Sequence, residues 1–410
     1  MADFLEKINN FVWGNGLIFL LIATGIIFTF KLKFIQFSMP KFLFSSKKSN
    51  NSGLSQLKTV CMSLGTTMGT GNIIGTSSAL VAGGAGSVFW LWISAFLGMA
   101  IVYAENVLSM KYSDKSVKGT MAYLEKGLGC KPLAKVFAFF CVLASFGMGG
   151  MVQVNTFAVS LYDTCKVNSI IIFIIISVVI FAITSGGAER IGTSAQYLLP
   201  VASVSYIIIC IIVMFIFRSN IPDVFAKIFT EAFSFKSASG GIFGYAVSVG
   251  IRRGIFSNEA GLGSSPILHS SAGESSPQKQ GMWSMFEVFF DTIICCTLTA
   301  VTLLCSTENF SVTESFSAVL GKYSMPFITV QLGIFALCTI IGWYYCGEIS
   351  FRYLTGMENI LFCIIYTLVS ASGAVFSAPT VWTVSDIFNG LMAFPNLIGI
   401  LLLMKNVKKE

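Results

Sequence analysis

A chain of 410 residues that is 55% hydrophobic and only 11% charged departs from the roughly 25% charged composition of soluble domains and falls in the polytopic membrane class. Its net charge of +7 does not argue for nucleic acid, because the Lys and Arg lie in short segments between apolar runs, as basic membrane loops do. Eleven cysteines without a C-x-x-C pair and a single histidine, His269, leave a Cys/His metal centre or a Ser/His/Asp hydrolase without partners. The cysteines read as reduced packing residues and His269 as a span-end residue.

Residues 1–11 are short and polar; Phe11–Phe30 follows as a mostly apolar run of bilayer-spanning length. No A-x-A-like cleavage site follows it, so it reads as a retained span. Residues 31–53 carry five lysines, Pro40 and a Ser/Asn tract, and read as a loop or surface helix. Spans are then expected at about 54–82, 87–110, 132–161, 169–185 and 195–217. After an amphipathic connector, five more are expected at about 240–270, 281–304, 325–347, 359–376 and 380–404. The chain so divides into 1–53, 54–217, 218–239 and 240–410: leading helix and loop, first five spans, connector, second five spans and tail. No connection is long enough for a soluble domain. Eleven alternating spans place 18 of the 26 Lys and Arg on one face and six on the other, with Arg252 and Arg253 inside a span. That bias predicts an outside N-terminus, a cytoplasmic C-terminus and an extracellular connector.

Two stretches interrupt the apolar pattern. Gly65 to Gly75 reads GTTMGTGNIIG in mid-span. Glycines there fit either two tightly packed helices or backbone unwound against a wet cavity. Residues 254–265 read GIFSNEAGLGSS, and a shift of 186 lays Asn72 on Asn258, Gly75 on Gly261 and Ser78 on Ser264. Each stretch opens a run of five spans. Two odd-numbered units must insert with opposite orientations, the inverted-repeat plan of secondary transporters, whose broken first helices meet at the midplane. A passive channel would instead call for subunit symmetry and a ring of pore residues.

Six segments carry a family resemblance: GTGNIIG, GGAGSVFWLWISAFLGMAIVYAE (83–105), RRGIFSNEAGLGSSPILHSSA (252–272), DTIICCTLTA (291–300), TIIGWYYCGE (339–348) and FNGLMAFPNLIGILLL (388–403). In this order they resemble the alanine or glycine:cation symporter family over nearly the whole chain. The resemblance implies an all-α polytopic protein of about eleven transmembrane helices, one leading helix plus a LeuT-like five-plus-five inverted repeat. It implies a plasma-membrane importer, not an enzyme and without a cofactor. The cargo would be small neutral amino acids (alanine, glycine, serine or glutamine), coupled to Na+ or, in some members, H+. Two positions depart from the pattern. Gly150 stands where the family's GNMVQ has an asparagine, which implies room for a substrate larger than alanine, and Cys338 replaces the serine of STILGW.

A zwitterion needs donors for its carboxylate and acceptors for its ammonium, and the ends of broken helices supply both. Thr70, Gly71 and Asn72 would do so from the first break, and Phe256, Ser257 and Asn258 from the second. Gln153, Thr339 and Trp343 match positions that the family uses around its substrate. Phe256 and Trp343 could also be core aromatics, and Gln153 a helix tie. Family and fold analogy place sodium against Gly65, Met68 and Thr339, with the soft thiol of Cys338 a poor ligand for a hard cation. Intramembrane charges are functional candidates by default: Glu259, Asp291 and Asp386, with Glu105 and Glu348 read as span ends facing water. Arg252 or Arg253 pairing with Asp386 would form an outer gate; separate hydration of each charge is the alternative.

Overall fold

The structure, a computed structural model, describes residues 2–45, 54–233, 244–272, 276–357 and 360–409. Among them seven helices are long and apolar enough to cross a bilayer: Phe4–Lys31, Gly86–Tyr112, Lys131–Cys165, Gly187–Ile216, Pro277–Ser306, Val312–Thr355 and Ala378–Leu402. Ser169–Thr184 and Ile360–Ser372 are apolar but shorter. Two further segments are each cut in two: Gln56–Thr67 from Thr76–Gly83, and Tyr245–Asn258 from Ser265–His269. The chain is an all-α polytopic membrane protein. Residues 46–53 of the expected loop and 234–239 of the connector lie outside the described residues.

Several boundaries differ from hydropathy. The polar start of the chain is a helix, Ala2–Val12, that leads into Asn15–Lys31. The helix expected from 195 begins at Gly187, its first turn paired through Glu189 to Lys58. Ser324–Thr355 runs two turns past residue 347. Hydropathy marks only the turns that lipid or protein buries, whereas the backbone ladder continues into water. Side-chain caps fix other starts: Asn168 Oδ1 accepts from Ile170 N at 2.8 Å and Ser311 Oγ from Glu314 N at 3.3 Å.

Small residues set the helix spacing. A Cβ on Gly250 would stand 2.4 Å from Ser87 O, and one on Gly254 2.8 Å from Ser94 Oγ. The two glycines, one turn apart, therefore let Tyr245–Asn258 lie directly on Gly86–Tyr112. Asn15–Lys31 also packs on Gly86–Tyr112, where Gly25 meets Leu97. The lipid face is apolar: Ile170, Ile174 and Val178 on one helix, and Val201, Ile208 and Phe215 on the next, are all exposed. Besides Tyr123–Gly127, three stretches among the described residues are π-helical, at Gly71–Gly75, Ser145–Met151 and Phe289–Cys296. Such stretches re-aim side chains and loosen the backbone ladder. They carry or adjoin Asn72, Gln153 and Asp291.

Candidate functional site

The first break begins at Met68, whose φ of −76° and ψ of 71°, with Gly69 N donating to Thr67 O at 2.8 Å, make an inverse γ-turn. Gly69 N would have bonded Gly65 O in a continuous helix. The freed Gly65 carbonyl instead accepts from Thr339 Oγ1 at 2.8 Å. Thr70 N and Oγ1 donate to Gln153 Oε1 at 3.2 and 3.0 Å, and Gln153 Nε2 donates to Met148 O at 3.1 Å. A Cβ on Gly69 would sit 2.7 Å from Thr339 Oγ1 and 3.1 Å from Gln153 Oε1, so only glycine passes between these polar groups.

The second break follows Asn258. Glu259 takes a left-handed conformation at φ 57°, with Gly261 at 87° and Gly263 at 81°. That region disfavours a residue with a Cβ. Glu259 is held there by Trp343 Nε1, which donates to Oε1 at 2.8 Å, and by Ser264 on Oε2. Asn258 Oδ1 accepts from Ala260 N at 3.0 Å, closing the turn, while Nδ2 donates to Thr292 Oγ1 at 3.2 Å.

One carboxylate joins the two breaks. Asn72 Nδ2 donates to Asp291 Oδ1 at 2.7 Å and to Asp291 O at 3.1 Å. Ser257 Oγ and Thr292 Oγ1 both donate to Asp291 Oδ2 at 2.8 Å. Cys296 Sγ lies 3.5 Å from Asn72 Nδ2 and 3.4 Å from Ser257 Oγ. No Lys or Arg pairs with Asp291 among the described residues, and the buried Asn72 Oδ1 has no hydrogen-bond partner there. A carboxylate flanked by an orphaned acceptor suits a cation or an ammonium. Asp291 was legible as an acid in an apolar span and, with Thr292 and Cys296, as part of the DTIICCTLTA segment. That segment did not show that these side chains reach both breaks.

The remaining expected residues divide. Phe256 stacks on Trp382, with ring centroids 5.3 Å apart, and its Cδ1 lies 3.7 Å from the Cβ position of Gly71. Cys338 is buried, and its Cβ lies 3.3 Å from the Cβ position of Gly65. Met68 meets Ser203 through its sulfur, 3.7 Å from Ser203 Oγ. Trp343 belongs with Glu259, seated where Gly149 has no side chain; a Cβ there would stand 2.3 Å from Trp343 Cβ.

Two readings are corrected. Gly150 opens no room for substrate: its missing side chain is filled by Ser370, whose Oγ and Cβ lie 2.1 and 2.7 Å from the Cβ position. Gly150→Ala is therefore expected to lower stability by ~1–3 kcal/mol through overpacking. Thermal unfolding would show this, while the substrate range of any protein that survives stays unchanged. Glu105 does not face water; it is buried and bonded to Asn396, which also donates to Gly261 O at 2.8 Å. His269 ends its helix, Ser265–His269, as the sequence suggests, but it is buried there, with Nδ1 2.7 Å from Gln280 Oε1 and Nε2 3.0 Å from Glu287 Oε2. Ser63 Oγ donates to Glu287 Oε2 at 2.6 Å, and Gln280 Nε2 to Gln56 Oε1 at 2.7 Å. This network ties the outer ends of both broken helices at one side of the bundle.

At the opposite side Arg252 Nη2 meets Asp386 Oδ2 at 2.7 Å. The Arg252 guanidinium lies 5.4 Å from the Trp13 ring, and Trp13 Nε1 donates to Asp386 O at 2.7 Å. Arg253 stands 5.4 Å from the Trp382 ring and 5.9 Å from that of Phe256. The residues between the two closures, Thr70, Asn72, Gln153, Ser257, Asn258, Asp291 and Thr339, are all buried.

Comparison with known proteins gives one family. The profile described as the sodium:alanine symporter family matches residues 1–410. The chain is 38% identical to the sodium/alanine symporter AgcS of Methanococcus maripaludis, over 100% of this chain and 96% of that protein. It is 36% identical to the probable sodium/glutamine symporter GlnT of Bacillus subtilis, over 99% and 90%. Among solved structures, MhsT in complex with L-phenylalanine superposes with a TM-score of 0.54 at 15% identity, over 87% of this chain and 99% of MhsT. A mutant of the Eremococcus coleocola manganese transporter gives 0.52 at 14% identity, over 85% and 76%. These two likenesses concern the fold alone.

Proposed function

We infer what this chain carries, and how, from the premise that it belongs to the sodium:alanine symporter family. It is a sodium-coupled amino-acid symporter of the membrane and not an enzyme. We assign it the import of small neutral amino acids across the plasma membrane: alanine and glycine first, with serine and glutamine as larger members of the class. The N-terminus would lie outside and the C-terminus in the cytoplasm. Alternating access would proceed within the five-plus-five division at 54–217 and 240–410, with 218–239 as the outer connector.

The observation that carries this reading is Asp291, which holds Asn72 of the first break and Ser257 of the second at once. An amino acid seated between the breaks would place its carboxylate on backbone N–H groups around Thr70, Gly71 and Asn72. Freed carbonyls and Gln153 would face its ammonium, with Phe256 and Trp343 limiting its side chain. Sodium wants several hard oxygens. Gly65 O and Thr339 Oγ1, 2.8 Å apart, supply two, beside Met68 and Cys338. Uptake into proteoliposomes with an inward sodium gradient, against choline, tests the assignment: accumulation of alanine above the outside concentration is expected, and sodium-independent equilibration would refute it.

Thr339→Val keeps the volume and removes one oxygen. Apparent Na+ affinity should fall roughly five- to tenfold, as for the loss of one hydrogen-bonding group worth ~1 kcal/mol. Cys338→Ser should tighten it. Equal Na+ dependence in all three proteins would move the ion elsewhere. One observation favours a proton as a second coupling ion: Glu105 is buried, and its Oε2 lacks a hydrogen-bond partner among the described residues. Uptake driven by a pH gradient alone, and lost in Glu105→Gln, would establish it.

A further inference from the structure

Away from the breaks, at the end of the bundle where most Lys and Arg gather, a crevice of about 130 Å³ opens between the 113–118 loop and the last turns of Ser324–Thr355. Lys115, Ser116, Lys118 and Arg352 line it, with Ile349 and Tyr353 behind. The loop is shaped before any ligand arrives. Asp114 Oδ1 accepts from Ser116 N at 2.8 Å, Ser116 Oγ at 2.7 Å and Val117 N at 2.9 Å, while Oδ2 meets Lys126. Gly119 N is held on Ser113 Oγ at 3.0 Å. Lys126 first, then the loop's own N–H groups, keep the Asp114 carboxyl well below the usual carboxylate range, so this clasp persists across physiological pH.

The cations it presents are short of counter-ions. Arg352 gives Nη2 to Glu348 at 2.9 Å, and Glu125 is engaged by Tyr353 OH at 2.5 Å and by Lys131 at 3.6 Å. Among the described residues no carboxylate lies within ion-pair distance of Lys115 or Lys118. Lys118 is half-buried; its ammonium is pushed below its ordinary pKa by burial, and further by Arg352. Holding like charges around one partly enclosed space costs free energy that the Arg352–Glu348 pair offsets only at one of the three cations, and an anion recovers the rest. A tetrahedral phosphate suits the set: lysines act on it as point charges and arginine through its remaining fork. Basic pockets at the ends of transmembrane helices lie at headgroup depth.

We propose that the crevice between the 113–118 loop and the end of Ser324–Thr355 binds a phosphate group, presented by an anionic phospholipid headgroup or by a soluble phosphate. The consequence reaches the transport site. The same loop leads to Gly119, packed on Ile267, and to Thr120, which donates to Gly263 O at 2.7 Å. A phosphate bridging the crevice therefore couples the second broken helix to the helix that carries Thr339 and Trp343.

The test uses the full-length protein in detergent, with native mass spectrometry to count retained lipid and a thermal-shift assay to follow stabilisation. The probes are dioleoylphosphatidylglycerol, dioleoylphosphatidylcholine and inorganic phosphate. Wild type should retain at least one phosphatidylglycerol and be stabilised saturably. Lys115→Ala/Lys118→Ala and Arg352→Gln should each lose that lipid and weaken the response about tenfold, with unchanged melting in its absence. Stabilisation by phosphatidylglycerol alone identifies the headgroup as the source. Stabilisation by inorganic phosphate that also displaces the lipid identifies the soluble source. Either result supports the site. No stabilisation by either probe, equal stabilisation by phosphatidylcholine, or an unchanged response in the variants overturns it.

Discussion

Asp291→Asn is expected to abolish sodium-driven uptake while leaving the chain folded. The carboxylate takes one side-chain bond from the first break (Asn72, 2.7 Å), one from the second (Ser257, 2.8 Å) and one from its own helix (Thr292, 2.8 Å). An amide keeps the volume, and the two hydroxyls can reverse their roles from donor to acceptor. The Asn72 amide cannot do so without turning over. The variant thus retains packing and loses the only charge that, among the described residues, is held jointly by the breaks. Hydrogen bonds to a charged group are worth ~1.5–3 kcal/mol each, so losing their charge-assisted part removes ~3 kcal/mol, about a hundredfold in binding or rate. Asn72→Ala and Asn258→Ala should fail to a similar degree, the first by releasing Asp291 and the second by opening the Ala260 turn. Initial rates in proteoliposomes, with melting temperatures alongside, decide the matter. Uptake within threefold of wild type, with unchanged sodium dependence, would remove Asp291 from the site.

The second large effect concerns the closure at the opposite end from His269. Asp386→Asn should slow transport and leave the transport site open to the outside for longer. Arg252 and Asp386 are 2.7 Å apart, with side chains 23% and 9% exposed. Removing one member of a fully buried pair costs ~3–5 kcal/mol. Residual water around Arg252 reduces that here to ~1–2 kcal/mol, or roughly tenfold in the population of the closed state. The site holds its own reporter, Cys296, beside Asn72 and Ser257. With the two cysteines that are not buried, Cys130 and Cys165, changed to serine, an impermeant thiol reagent added outside should label Cys296 faster in Asp386→Asn. Mass spectrometry of the labelled peptide reads the rate. A double-mutant cycle of Arg252→Gln and Asp386→Asn should show coupling of similar size. No coupling would mean that the pair is decorative, and the gate would have to be sought at Arg253, Trp13 or Trp382.

Both expectations draw on residues that were visible in the sequence to different degrees. Asn72 and Asn258 stood out because each is a polar residue among glycines in an apolar run, repeated at a fixed shift. Arg252 and Asp386 stood out as charges inside spans, which lipid penalises wherever they lack a partner. Trp13 was invisible in that role, because an indole near the start of a chain has no local signature for the carbonyl it will meet 373 residues away. Gly150 misled for a related reason. A missing side chain implies space only if nothing else fills it, and Ser370 does.

Composition and pattern alone mark this as an all-α membrane protein with two interrupted helices, and they point to the family. Those properties are local: apolar runs of bilayer length, glycines that stop a helix, and motif strings each contained in one span. The tertiary structure alone decided which polar groups share a site. The Phe289–Cys296 stretch contains no glycine to announce its π-helical geometry, yet that geometry lets the Asp291 carboxylate reach both breaks while its backbone carbonyl also accepts from Asn72. The same holds for His269, whose burial follows from Gln56, Ser63, Gln280 and Glu287 arriving from two other helices, Gln56–Thr67 and Pro277–Val288. In a membrane a buried polar group must find a partner, but hydropathy reports only that the group is out of place. Which partner it finds is fixed by how close the helices pack, and that depends on pairs such as Gly250 with Ser87 and Gly149 with Trp343, far apart along the chain.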